Sequence, residues 1–113
     1  MTNYETGHKA EEYAEKCLKK LKYKIVATNW KTRYCEIDII AERKKVIHFI
    51  EVKYRKNNLQ GTGLDYITEA KQEQMRFAAE IWIQENNWQR EYSLGAIEMT
   101  GPDYQVTNFL PVL

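Results

Sequence analysis

The 113-residue sequence predicts a single α/β domain, a mixed β-sheet with two main helices packed on its faces. Three observations carry this. Residues 3–21 and 68–86 repeat apolar side chains at spacings of three and four, as one-sided helices do. Three β-rich runs lie between them, and one or two more follow the second helix. Strands consecutive in sequence join readily as an antiparallel meander, whereas a strand that follows a helix can add in parallel.

In the first helix the apolar stripe is Ala10, Ala14, Cys17, Leu18 and Leu21. Lys16, Lys19, Lys20 and Lys22 gather near its end, where cations suit the helix dipole. Cys17 reads as a small core residue, and Glu11, beside the stripe, borders the core. Tyr23 to Trp30 forms a strand, and Lys31 to Tyr34 a polar connection. The runs Cys35 to Arg43 and Val46 to Arg55 follow. Lys56 to Tyr66 is a loop in which Gly61 and Gly63 widen the accessible backbone angles. Thr68 is a plausible N-cap for the second helix, whose inward face is Met75, Ala78, Ala79, Trp82 and Ile83. Tyr92 to Thr100 is a strand, Gly101-Pro102-Asp103 a turn, and Tyr104 to Leu110 a last strand or ordered tail. No repeat or composition break divides the chain, so residues 1–113 are read as one domain.

At 43% hydrophobic and 29% charged, the chain is a folded domain rather than a disordered one. No apolar run approaches membrane-spanning length and the N-terminal residues are polar, so no membrane association and a cytoplasmic location are expected. Cys17 and Cys35 are too few for a disulfide framework, and with His8 and His48 far apart they offer no zinc-site spacing. A net charge of +1 neither requires nor excludes a nucleic-acid partner.

The chemistry concentrates in Cys35 to Arg55, where Asp38, Glu51 and Lys53 interrupt strand-like apolar runs. An unpaired buried charge is unfavourable, so these charges need compensation. Side chains alternate along a strand: Glu36, Asp38 and Ile40 share one face, and Phe49, Glu51 and Lys53 share another. If Lys44-Lys45 is a two-residue hairpin loop, Arg43 lies opposite Val46, Asp38 opposite Glu51 and Glu36 opposite Lys53. The two carboxylates would then stand about 5 Å apart at Cβ on one face. Lys-Lys suits a tight primed turn poorly, but any loop longer by an even number preserves the shared face. Two carboxylates so close are stable only if one is protonated or a cation lies between them. Mg²⁺ takes such oxygen ligands, with the Val52 carbonyl as a further candidate, and Lys53 could stabilise charge on a phosphate. An ion-paired patch on a solvated sheet face is the competing reading from spacing alone.

E-I-D followed by E-V-K resembles the PD-(D/E)XK nuclease superfamily. The fuller pattern is similar to the YraN family of small bacterial proteins, themselves similar to Holliday junction resolvases. Gly7, Glu11 and Ala14 match its G-x-x-G-E-x-x-A element, with Ala10 in place of the second glycine. Tyr23 and Asn29 match its first strand, Cys35 replaces the glycine of G-E-I-D, and Phe49, Glu51, Lys53 and Arg55 match F-V-E-V-K-x-R. Lys71 matches a helix lysine, while the family's R-F/Y-D segment is degraded to Arg90-Glu91-Tyr92-Ser93.

The resemblance implies a restriction-endonuclease-like sheet and a Mg²⁺- or Mn²⁺-dependent endonuclease acting on structured or branched DNA. Asp38 and Glu51 would be metal ligands, Lys53 the charge stabiliser, and Glu11 a further catalytic member. Arg55 and Lys71, then Lys31 and Arg33, are the expected phosphate contacts, and Trp30, Tyr34 and Tyr54 could stack on exposed bases. A homodimer is expected, because resolvase-like enzymes act symmetrically and the apolar tail Phe109 to Leu113 needs burial. Two alternatives stay open: a nucleic-acid-binding or adaptor module of the same fold without effective cleavage, and an assembly protein in which the acidic pair holds a stabilising ion.

Overall fold

The computed structural model describes residues 3–57 and 63–113. Its elements run α1 (Asn3–Lys20), β1 (Lys24–Lys31), β2 (Glu36–Arg43), β3 (Val46–Arg55), α2 (Glu69–Glu85), β4 (Glu91–Thr100) and β5 (Gln105–Leu110). One five-stranded sheet has the order β1-β2-β3-β4-β5. The first three strands form the expected antiparallel meander, β4 adds in parallel to β3, and β5 closes the edge antiparallel to β4. The arrangement is consistent with a restriction-endonuclease-like core.

The two faces are covered separately. Ala10, Ala14 and Leu18 of α1 pack with Ile39, Ile50, Ile97 and Met99. Met75, Ala78, Ala79 and Trp82 of α2 pack with Ile40, Ile47, Phe49 and Leu94. Among the described residues no helix is long and apolar enough to cross a membrane.

Leu21 departs from the expected stripe and is 44% exposed. The cause is the way α1 ends: Lys22 has φ 73°, its N–H reaches the Lys19 carbonyl (3.0 Å), and the Tyr23 N–H reaches the Leu18 carbonyl (2.9 Å). This is a Schellman closure with lysine where glycine is usual. It throws Leu21 outward and swings Tyr23 into the core against Leu18.

The hairpin between β2 and β3 has the two-residue loop. Arg43 pairs with Val46, and both Lys44 (φ 52°) and Lys45 (φ 68°) take the left-handed conformation that a primed turn needs. Ile40 pairs with Phe49 and Ile39 with Ile50, the register counted from the sequence.

The apolar tail stays on its own chain. Phe109 packs in the α1-side core and Leu113 against the α2-side core, leaving Leu110 and Val112 exposed. The Leu113 N–H bonds to the Leu94 carbonyl (2.9 Å), and the Pro111 carbonyl accepts from Ser93 Oγ (2.8 Å) and lies 3.2 Å from His48 Nδ1. Phe109 and Leu113 are half-buried against their own chain, so part of the tail's apolar surface is covered without a partner. His48 is buried on the α1 side of β3, away from Glu51 and Lys53, as its strand position predicts.

Candidate active site

The site lies where β2 and β3 stop pairing. The ladder runs from Arg43–Val46 to Ile39–Ile50. Just beyond it, the Val52 N–H donates to Asp38 Oδ2 at 2.8 Å, so a side chain takes the bond that a strand carbonyl would otherwise accept. Asp38 is thereby held in the opening between the strands. Glu51, next after Ile50 on β3, is close enough that its charge acts on Asp38: burial and then Glu51 push the Asp38 carboxyl up to about 7. Burial raises Glu51 as well, and Lys71 and Lys53 pull it back.

Lys71 arrives from α2. Thr68 Oγ1 accepts from the Lys71 N–H (3.1 Å), so the N-cap fixes the first turn. That turn places Lys71 Nζ 3.5 Å from Glu51 Oε2. Lys53 follows Glu51 on the same face of β3, with its ammonium 5.5 Å from the centre of the Tyr66 ring.

Glu11 comes from α1 on the other side of the opening. Burial, and next the charge of Asp38, push it up to about 7. Asn29, a non-glycine residue at φ 50°, sets its amide between two carboxylates, and with its nitrogen turned to them, as their acceptor oxygens require, it donates to both oxygens of Glu11 (3.2 and 2.9 Å) and to Glu36 Oε1 (3.0 Å). Glu36 therefore turns toward Asn29 rather than toward Lys53, because the ladder that would have set it opposite Lys53 ends at Ile39. Gly7, His8, Glu11, Asn29, Lys31, Glu36 and Asp38 line a cleft of about 470 Å³ that opens this side to solvent.

The structure thus gathers Asp38, Glu51, Lys53 and Lys71, with Glu11 at the rim and Lys31 in the cleft wall. It separates Arg55 from them in role. Arg55 is 7% exposed, and its Nε donates to Glu98 Oε2 at 2.8 Å. Thr107 Oγ1 (2.9 Å) and Asn108 Nδ2 (2.7 Å) donate to the other Glu98 oxygen. Although burial alone would raise it, these bonds hold Glu98 below the usual carboxylate range. Arg33 is exposed beside the Tyr34 ring. Trp30 packs against the α2-side core, and Tyr54 stacks on Tyr104 while donating to the Gly101 carbonyl (2.9 Å). Tyr34 alone of the three proposed stacking residues is strongly exposed, edge-on to Phe77 at 4.8 Å.

A metal fits the donor set in a limited way. Among the described residues no three or more His, Cys, Asp or Glu side chains form a group able to hold a metal ion. Mg²⁺, however, is commonly held through one or two carboxylates with waters completing its shell, and the hard oxygens of Asp38 and Glu51 are of that kind. The upward push on both carboxyls is the imbalance that a bound cation would relieve.

Comparison with known proteins places the chain. Residues 10–99 match the uncharacterised protein family UPF0102. The chain belongs to the UPF0102 family. It is the family, also called YraN, that the E-I-D and E-V-K pattern resembles. A UPF0102 protein of Fusobacterium nucleatum is 39% identical over 89 residues, covering 79% of this chain and 75% of the relative. One from Carboxydothermus hydrogenoformans is 38% identical over 86 residues, covering 76% and 73%. One from Cytophaga hutchinsonii is 33% identical over 106 residues, covering 94% of both chains. The UPF0102 match spans Glu11, Asp38, Glu51, Lys53 and Lys71, so the whole candidate site lies within the family region.

Sequence reasoning did not find Tyr66 or Glu98. Glu98 sits in a strand-like apolar run as Asp38 does, and that signal could have flagged it. Tyr66 lies in a loop whose composition carries no such signal.

Proposed function

We propose that this UPF0102 chain is a metal-dependent phosphodiesterase that cuts structured or branched DNA. The observation that carries the proposal is the Asp38–Glu51 pair at the splayed end of β2 and β3, with two lysines beside it. The resemblance to the PD-(D/E)XK pattern supports it. Asp38 and Glu51 would hold Mg²⁺ or Mn²⁺, with the Val52 carbonyl as a further candidate ligand. When bound, such an ion supplies Lewis-acid stabilisation of the charge that builds on the phosphate.

The chain's own residues supply the rest. The Val52 N–H fixes one oxygen of Asp38, and the other would be the one to meet a cation. Lys53 presents an ammonium to the phosphate as its oxygens gain charge, a preorganised electrostatic contribution. Lys71 restrains Glu51 through their ion pair. Lys31 in the cleft wall, and the exposed Arg33, Tyr34 and Phe77, would meet flanking backbone and unpaired bases. Glu11, in the cleft wall, can take up a proton near neutral pH.

A second reading is a nucleic-acid-binding or adaptor module without effective cleavage. The Lys71–Glu51 pair favours it, because Lys71 already gives the carboxylates part of the compensating charge that a metal would bring. Cleavage of branched, flapped and linear DNA with Mg²⁺, Mn²⁺ or chelator separates the two, using the native chain, Asp38→Asn and Lys53→Ala. Metal-dependent cutting lost in both variants is the expected result. Cutting that survives both substitutions removes this site from the reaction, and binding without cutting under every condition selects the adaptor. Sedimentation with and without a junction substrate tests the proposed homodimer.

A further inference from the structure

Tyr66 stands two residues before the N-cap of α2, over the same face of β3 as the candidate site. Lys53 Nζ and Arg55 Cζ each lie 5.5 Å from its ring centre, so the ring spans both cations. Its hydroxyl is buried and has no hydrogen-bond partner among the described residues. A buried hydroxyl without a partner is unfavourable and uncommon, and it calls for a ligand or a role. The surroundings say which kind of ligand. Arg55 is committed to Glu98, whereas Lys53 makes no ion pair among the described residues. Burial first, and then the charge of Glu51, hold the phenol above its ordinary range, so the hydroxyl acts as a donor at any working pH. The Tyr66 ring thus lies against an ammonium that makes no ion pair among the described residues, and its hydroxyl has no acceptor.

We propose that Tyr66 Oη and Lys53 Nζ form a seat for a phosphate group, the phenol donating to a non-bridging oxygen beside the lysine. The proposal rests on the phosphodiesterase reading and adds to it a substrate-contacting residue on the loop before α2. A bound phosphate supplies the acceptor that the hydroxyl lacks and a direct ion-pair partner for Lys53, without drawing on Arg55. The ring holds the ammonium by its face while the O–H binds, so one side chain both shapes and completes the seat.

Tyr66→Phe tests this directly, because it removes only the unpartnered oxygen and keeps the ring over Lys53 and Arg55. Thermal melting is followed with Mg²⁺ present while inorganic phosphate is titrated into the native chain and the variant. The expected result is an unliganded melting temperature that is unchanged or higher in the variant, with phosphate affinity reduced about tenfold, as the loss of one such bond to an anion implies. An equal phosphate response in the two proteins, or none in either, overturns the seat and leaves a phenol satisfied by water. DNA cleavage measured in parallel judges the other reading separately. A native chain that cuts nothing while the phosphate difference persists sinks the nuclease and leaves the seat standing.

Discussion

The Val52 N–H donates to Asp38 Oδ2 at 2.8 Å where β2 and β3 cease to pair, so the backbone of one catalytic-strand candidate holds the side chain of the other. Asparagine can accept that same bond through its amide oxygen, but it cannot repel Glu51 or bind a cation as a carboxylate does. Asp38→Asn should therefore melt at or above the native temperature while metal-dependent cutting falls by at least about a hundredfold, the scale of losing one principal electrostatic group. Asp38→Ala separates the two roles, since it leaves the Val52 N–H without its partner. It should lose activity and about 1 to 3 kcal/mol of stability, read by urea denaturation.

The electrostatics of Asp38 also fix a pH dependence. Its carboxyl titrates at about 7 in the folded chain, against an ordinary value of about 4. Between those values the folded state keeps a proton that the unfolded state has released, so the contribution of Asp38 to stability falls as pH rises through the window. Above about 7 the loss is complete. The stability advantage of Asp38→Asn over the native chain should accordingly grow from pH 5 to pH 8. Added Mg²⁺ or Mn²⁺ should stabilise the native chain more at pH 8 than at pH 5, and Asp38→Asn little at either. A metal-induced melting shift independent of pH would count against cation binding at this pair.

Arg55 gives a prediction of the opposite kind. With Glu98 only 1% exposed, removing the guanidinium leaves a buried carboxylate without its cation, held only by the neutral donors Thr107, Asn108 and the Gly63 backbone. Arg55→Ala should cost about 3 to 5 kcal/mol by urea denaturation, the usual penalty for breaking a buried pair from one side. If Arg55 served chiefly to bind DNA phosphate, the variant would instead keep its stability and lose affinity in a salt-dependent way.

These cases show what the sequence could and could not carry. Alternation along a strand and the count across a hairpin depend on local geometry, so the two-residue loop and the Ile40–Phe49 register were legible in the sequence. The helix faces were legible for the same reason. Arg55 was not, because its partner Glu98 lies on β4, brought alongside by a parallel crossover that local pattern does not fix. Glu36 was misplaced because counting assumes that pairing continues, and here Asp38 ends it. Tyr66 gave no signal at all, since a loop tyrosine acquires meaning only when its hydroxyl is found buried and unpartnered.

Gly95 controls how the tail leaves the sheet. A Cβ there would stand 2.9 Å from the Leu110 carbonyl oxygen and 3.1 Å from that of Pro111, both backbone atoms that cannot rotate aside. Gly95→Ala must push the tail off β4, disturbing the Ser93 and His48 contacts with Pro111. A loss of about 1 to 3 kcal/mol in urea denaturation is expected, typical of forced overpacking. The same substitution in a chain lacking residues 110–113, and so both clashing carbonyls, should cost clearly less. Equal costs in both backgrounds would place the strain elsewhere.

The Lys44-Lys45 turn is the last point at which sequence and geometry pull apart, and it closes the hairpin that carries the site. Both residues adopt positive φ, a conformation in which a side-chain-bearing L residue is strained by about 1 kcal/mol or more. Two lysines do this here because the strands on either side demand it: Ile39, Ile40, Ile47, Phe49 and Ile50 are buried on both faces, and a one-residue slip would turn all of them over. The core, not the turn, selects the register. Replacing the pair with Asn-Gly, which accepts these angles readily, should therefore stabilise the chain by about 1 to 2 kcal/mol and leave the pairing of Asp38 with Val52 intact. Urea denaturation reads the gain, and unchanged metal-induced melting shifts show that the site has kept its geometry. A variant that gains stability but loses its response to Mg²⁺ and Mn²⁺ would show that the strained turn, rather than the packed core, holds Asp38 and Glu51 in place.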